Sequence, residues 1–394
     1  MPSVYSSPNP VLFGMGTSLE TGERLKGFGC TKVLVIYDKG IGSTGIADRI
    51  VENINAAGIG TVCYDGVLHD PPDWSVDEAG TLGIEEKVDG VVGVGGGSSL
   101  DTAKGAKMLL TNPPPVNQYF GREGVITKPS KPLIVIPTTA GTGSECTPGG
   151  VITDTKNKIK TNIAGTGCAV TLGIVDPELT LNLPPSITAS TGLDAFGHAF
   201  ESYTSALSNA YSEVAGREAV RLCGKYLIAA YRDGGNREAR EGMMFAASLG
   251  GMAMSGALCH LAHDIGRLLG SKFGIAHGFA GACCLPQVLE TIAPVVPEKV
   301  KFISEMIGYP APENASVEET AKTAYLAGAD LIRQLNVPNL KSFGLALPDI
   351  LAEVPAGVVK QSENMVKLFG KATSPLPVTE GLIAGIISRA YEEN

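Results

Sequence analysis

Histidine is scarce in this 394-residue chain, with five in all, and no two cysteines stand in a CxxC spacing. The missing CxxC removes the usual dithiol-redox and zinc-knuckle signatures. The eight cysteines (Cys30, Cys63, Cys146, Cys168, Cys223, Cys259, Cys283 and Cys284) are scattered. A chain this long can be held by its core, so reduced thiols in a cytoplasm are expected, with Cys283 and Cys284 as apolar packing. Basic residues are outnumbered, 31 Lys and Arg against 40 Asp and Glu, for a formal charge of −9. That balance argues against a nucleic-acid surface, although one local Arg can still hold a small anion. The first residues, MPSVYSSP, lack the basic and apolar regions of a secretory signal. Only 243–262 is long enough without Asp, Glu, Lys or Arg to suggest a membrane span. It is rich in Ala, Gly, Ser and Met and leads straight into His263 and Asp264. A buried helix, with no membrane partner, is the expectation. There is no internal repeat and no low-complexity tract.

What the chain does hold is 44% hydrophobic residues and only 18% charged ones, the balance of a well-buried globular protein. Its length allows two domains. Short β-rich runs at 32–37, 60–64, 90–94, 133–136 and 169–175 alternate with helical segments such as 45–54, the pattern of an α/β domain with a mostly parallel sheet. After Pro184 and Pro185 the strand signals fade. Helical periodicity follows at 186–207, 210–232, 237–262, 317–335 and 377–390. The expected division is an α/β domain over residues 1–185 and an all-helical domain over 186–394.

The strongest local signal is GGGSSLDTAK at 95–104, between a strand and an apolar helix pattern. Glycines let backbone N–H groups approach a ligand, and a helix N-terminus adds unpaired donors and partial positive charge. Phosphate suits such a turn, with Gly95, Gly96, Gly97, Ser98, Ser99 and Asp101 as its candidate contacts. The spacing is not GxGxxG, so the usual dinucleotide fingerprint is not claimed. The alternative is a purely structural strand-to-helix turn. Asp38 follows the strand at 32–37, where a carboxylate can accept from the two hydroxyls of an adenosine ribose and repel a 2′-phosphate, favouring NAD over NADP. It could equally be a solvated loop acid. PTTAGTGSECT at 137–147 offers Thr138, Thr139, Thr142 and Ser144 as donors, though alone it is only a polar loop.

Asp194 and His198 lie four apart in GLDAFGHAFE, so a helix puts both side chains on one face. His263 follows the apolar run, and His277 stands in IAHGF fourteen residues later. One carboxylate and three imidazoles suit a divalent first-row ion: Fe(2+), with Zn(2+) or Mn(2+) as alternatives. The competing reading is three unrelated histidines, each hydrogen-bonded in a core. Glu201 could be a carboxylate holding His198 or a plain helix-face acid. His260 reads as a packed helix histidine, and His69 as a loop residue.

Together these motifs resemble the iron-containing (group III) alcohol dehydrogenase family over nearly the whole chain. The resemblance implies an N-terminal NAD-binding α/β domain and a C-terminal helical domain, with metal and substrate in the cleft between them. By it Asp194, His198, His263 and His277 match the metal ligands, and Gly95, Gly96, Gly97 and Ser98 the pyrophosphate loop. Thr138, Thr139 and Thr142 match the loop beside the nicotinamide and its ribose, and Asp38 the acid tied to NAD preference. It further implies a metal-dependent alcohol dehydrogenase working mainly as an aldehyde reductase, as a homodimer or larger.

One departure stands out. Many family members carry a further His ten residues before the last ligand, and here that position is Arg267. Arg cannot shuttle protons near neutral pH but can pair with an anion. A short anionic aldehyde is therefore expected, with sulfoacetaldehyde (to isethionate) or a phosphonate analogue as concrete candidates, unless Arg267 turns away to pair with a helix carboxylate. A neutral short-chain alcohol or diol, of the 1,3-propanediol or lactaldehyde type, is the alternative substrate. A dehydroquinate synthase-like lyase, also NAD- and metal-dependent, is the alternative class; the basic cluster it needs is missing from the helical half.

Overall fold

The computed structural model describes residues 9–121, 128 and 130–393. The MPSVYSSP stretch considered for a secretory signal lies outside them. The chain divides into two compact units, Ser6–Leu181 and Asn182–Asn394.

The first unit carries strands β1 (Val11–Phe13), β2 (Lys32–Ile36), β3 (Gly60–Tyr64), β4 (Gly90–Gly95), β5 (Leu133–Pro137), β6 (Gly149–Asp154), β7 (Ile159–Ala164) and β8 (Leu172–Val175). Its helices are α1 (Thr21–Gly27), α2 (Lys39–Ser43), α3 (Ile46–Ala56), α4 (Asp73–Glu85) and α5 (Gly97–Leu109). Six strands form one all-parallel sheet in the order β1-β8-β5-β4-β2-β3. Both faces are covered, which explains the unbroken apolar runs. Val33, Val35, Val92 and Val94 pack with Leu25, Ile50 and Ile54 of α1 and α3. The alternate residues Leu34, Ile36, Val91 and Val135 pack with Ala79, Leu100 and Ala103 of α4 and α5. Short β1 and the antiparallel hairpin of β6 and β7 were not expected from the sequence. Val11–Phe13 is too short for a pattern, and the hairpin's half-exposed residues give a weak one.

From β2 the chain goes to β3 on one side, then returns to place β4 on the other. Strand order thus reverses between β2 and β4, and the carboxyl end of such a reversal is where open parallel sheets bind ligands.

The second unit is helical: α6 (Pro185–Thr204), α7 (Ala210–Arg232), α8 (Arg237–Ala257), α9 (Leu261–Phe273), α10 (His277–Ala282), α11 (Leu285–Ile292), α12 (Pro297–Met306), α13 (Val317–Gln334), α14 (Leu347–Phe369) and α15 (Glu380–Glu393). Proline at the first position of α6 suits a helix start, where no N–H is needed. The expected single helix over 237–262 is broken. α8 ends at Ala257, and α9 leaves it at 102°. The turn needs Leu258 at φ 58° and ψ 165°, a conformation that costs a non-glycine residue about 1–3 kcal/mol. Apolar composition carried no signal of this break. Among the described residues, no single helix is long and apolar enough to cross a membrane.

Candidate functional site

In the helical unit, α6 presents Asp194 and His198 one turn apart, as their spacing predicts. His263 lies in the first turn of α9, and His277 opens α10. Their donor atoms converge. Asp194 Oδ1 is 3.5 Å from His263 Nε2, 3.6 Å from His277 Nε2 and 3.9 Å from His198 Nε2. Donors bound at about 2.1 Å around a tetrahedral ion lie about 3.4 Å apart. The cluster is therefore near ligating separation. The His198 and His263 rings stack at 4.5 Å between centroids, and His263 meets His277 edge-on at 5.6 Å. His263 Nε2 is buried with no hydrogen-bond partner, an orphan that a cation would satisfy. A cavity of about 20 Å³ opens beside the group, lined by Leu193, Asp194, Phe200, His263, His277 and Leu285 among others. That is room for one water-sized occupant. The donor set fits a divalent metal.

Burial alone would raise the Asp194 carboxyl, but the charges of His198, His277 and His263 reverse this and hold it well below the usual carboxylate range. It is thus available as an anionic ligand. Glu201 has a part that the sequence left open, and it holds His263, not His198. This fully buried side chain accepts from His263 Nδ1 at 2.5 Å and from the backbone N–H groups of Ala262 and His263 at 2.7 and 3.1 Å. Burial pushes its carboxyl up, but His260 and His263 bring it down to about 2. Ionised, it can only accept, so His263 carries a proton on Nδ1, which leaves Nε2, the nitrogen facing Asp194, as the one able to ligate a cation. His260, fully buried, sits 3.2 Å from Glu201 and 2.9 Å from Thr204 Oγ1, behind the cluster rather than in it.

Sequence reasoning missed two glycines that make room for the rings. A Cβ on Gly197 would come within 2.8 Å of His263 Cε1, and one on Gly278 within 1.9 Å of the Ser190 carbonyl oxygen. Gly278 thus lets α10 lie directly on α6 and sets the position of His277. Gly278→Ala should cost about 1–3 kcal/mol by overpacking. It should also weaken metal binding, as read by thermal melts with and without Fe(II). A wild-type melt in both states would show that the close approach has no such role.

In the α/β unit, Asp38 follows β2 and Gly95 ends β4, flanking the strand reversal. Gly95 has φ 143°, a backbone that side chains rarely adopt. Asp38 Oδ1 accepts from Ile41 N at 3.1 Å, capping α2, and its Oδ2 accepts from Ser99 Oγ at 3.4 Å. The turn packs on the loop after β5: a Cβ on Gly97 would lie 2.7 Å from Thr142, and one on Gly96 3.4 Å from Thr139 Oγ1. Thr138 donates its N–H to the Gly95 carbonyl at 3.0 Å, while its buried hydroxyl has no hydrogen-bond partner. Half-buried Ser98 is the second residue of α5. Asp101 and Ser144 are already engaged with protein. Ser144 Oγ donates to Asp101 at 2.7 Å, and Lys104, fully buried, donates to Ser144 Oγ and to the Ser144 and Gly149 carbonyls, each at 2.7 Å. Lys104, to which the sequence assigned no part, ties the 144–149 loop to α5.

Family models for iron-containing alcohol dehydrogenases match residues 8–177, and those for the C-terminal part of the same family match 188–365. The chain belongs to the iron-containing alcohol dehydrogenase family. Choline dehydrogenase of Bacillus subtilis is 35% identical over 91% of this chain and 90% of its own. Sulfoacetaldehyde reductase of Bilophila wadsworthia is 33% identical over 89% of this chain and 91% of its own. A solved structure of a 1,3-propanediol oxidoreductase superposes with a TM-score of 0.90 at 32% identity, covering 99% of this chain and all of that one. The three are named for a cationic, an anionic and a neutral compound at nearly equal identity, so overall similarity does not choose a substrate.

Proposed function

We propose that this family member is an NAD(H)-linked, iron-dependent alcohol dehydrogenase that works as a reductase of short aldehydes. The observation that carries this is the convergence of three imidazole Nε2 atoms on one ionised carboxylate oxygen, within 3.9 Å. Asp194, His198, His263 and His277 would hold the ion. A divalent cation there supplies Lewis acidity to the substrate oxygen, and NADH supplies the hydride. The chain's own residues do the positioning. Glu201 keeps His263 in the ligating tautomer, and the apolar walls Leu193, Phe200 and Leu285 limit water beside the ion. In this reading residues 1–185 hold the nucleotide and 186–394 the metal and substrate. Gly95, Gly96, Gly97, Ser98 and Ser99 present the α5 N-terminus to the pyrophosphate, with Asp101 bracing the turn. Thr138, Thr139 and Thr142, with Ser144 behind them, face the nicotinamide and its ribose.

Asp38 selects NAD by repelling a 2′-phosphate. Asp38→Asn keeps a good helix cap but removes the charge. It should raise the NADPH-to-NADH ratio of kcat/KM about tenfold, with stability unchanged. An unmoved ratio would remove Asp38 from cofactor choice.

For the substrate, Arg267 as an anion contact favours a sulfonate or phosphonate aldehyde, sulfoacetaldehyde being the concrete case. A neutral alcohol or diol is favoured by two observations, the first being that burial lowers the pKa of Arg267 and the charge of Asp264, one turn before it, acts to support the cation. Burial pushes the Asp264 carboxyl up to about 7 despite that cation. Arg267 is also absent from the lining of the cavity beside His263. Iron-reconstituted enzyme assayed with NADH on neutral and anionic short aldehydes separates the two. If Arg267 reads the anion, Arg267→Ala lowers kcat/KM for anionic aldehydes about tenfold or more and spares neutral ones; equal losses reject that role. Eight free cysteines suit a reducing cytoplasm. A homodimer or larger assembly completes the proposal, with light scattering as its check.

A further inference from the structure

His198 and His263 face a second donor besides Asp194. Cys259 follows Leu258 in the sharp turn between α8 and α9, and its sulfur lies with one ring nitrogen from each of those imidazoles. The three donor atoms are all within 4.8 Å of one another. The thiol is half-buried and interacts with His263 and Ser202. The 102° bend and the costly conformation of Leu258 place it there. Strain of this kind persists only where the surrounding structure over-determines it, and it clusters at functional sites. Bonds of about 2.1 Å to nitrogen and 2.3 Å to sulfur reach a common point within such a triangle after small side-chain shifts.

We propose that Cys259, His198 and His263 form a second cation subsite that overlaps the Asp194 site and takes a thiophilic ion, zinc above all. Thiolate ligands favour borderline and soft ions, whereas a carboxylate with three imidazoles also accepts Fe(II) and Mn(II). The thiol proton leaves to solvent as the metal–sulfur bond forms. Because both subsites draw on His198 and His263, an ion held through Cys259 excludes iron from the Asp194 set. The chain thereby carries its own route to mis-metallation. The inference uses two imidazoles of the proposed iron site but does not need the dehydrogenase activity.

Cobalt(II) is the probe, since a cobalt–thiolate bond gives an intense near-ultraviolet charge-transfer band that nitrogen and oxygen ligands do not. The metal-free full-length protein is titrated with Co(II), then with Zn(II), as wild type, Cys259→Ser and Asp194→Asn, each first checked for an unchanged thermal melt. The band is expected in the wild type and in Asp194→Asn, and absent from Cys259→Ser. Zinc should remove it and should bind Cys259→Ser at least about tenfold more weakly. Cobalt bound with visible bands but no charge-transfer band overturns the thiolate subsite while leaving the Asp194 site standing. No cobalt binding at all overturns both. Persistence of the band in Cys259→Ser assigns it to another cysteine and also overturns the inference.

Discussion

Asp194→Asn is expected to lower iron-dependent aldehyde reduction about a thousandfold or more. The carboxylate is the one anionic donor among the four, and all three imidazole Nε2 atoms lie within 3.9 Å of a single oxygen of it. Asn keeps the shape and a carbonyl oxygen but loses the charge, and its NH2 cannot ligate. A bound cation contributes several kcal/mol to stabilising an alkoxide-like transition state, and about 1.4 kcal/mol is tenfold in rate. Two readings check this: iron retained per chain after anaerobic Fe(II) loading and desalting, and kcat/KM with NADH. Both should collapse together. A variant that keeps its iron and its turnover would leave the cluster a buried hydrogen-bonding group and remove the basis for the proposed function.

Glu201→Gln carries the second-largest expected effect and acts without touching the ion. The carboxylate accepts three N–H donors, two from the backbone at the start of α9 and one from His263 Nδ1. An amide has one accepting oxygen, and its NH2 would confront a donor inside a fully buried pocket. Removing one partner of such a buried charged network costs about 3 kcal/mol or more. For a unit of this size that is a Tm loss of about 10 °C. Freed of its acceptor, His263 no longer holds its proton on Nδ1, so Fe(II) affinity should fall about 10- to 100-fold. Saturating Fe(II) should restore most of kcat, because the ligands themselves remain. A melt and an iron affinity both like the wild type would reduce Glu201 to packing. Unrestored kcat at full iron loading would give it a direct part in the reaction instead.

The parts of this site that were legible in the chain are those that depend on local spacing. Asp194 and His198 four apart specify one helix face, and glycines between a strand and a helix specify a close backbone turn. The apolar run at 33–36 was legible as a strand, and period-2 geometry explains why the structure sends Val33 and Val35 to one core and Leu34 and Ile36 to the other. By contrast, 237–262 is uniform in composition, and a break costs little that hydropathy can register. The α8–α9 bend therefore went unseen, and with it the approach of Cys259 to His198 and His263. Glu201 illustrates the same limit. Its spacing placed it on the His198 helix, one turn nearly complete beyond that residue, but its partner came from a helix some sixty positions later.

In the order of residues, motif resemblance pointed to the family, short-range periodicity gave the α/β and helical halves, and spacing with residue chemistry nominated four candidate donors for an ion. Which imidazole Glu201 grips, where α8 breaks and how Gly278 seats His277 were decided only in three dimensions. Those outcomes depend on contacts between segments far apart in the chain, and their energies arise only once the helices have packed.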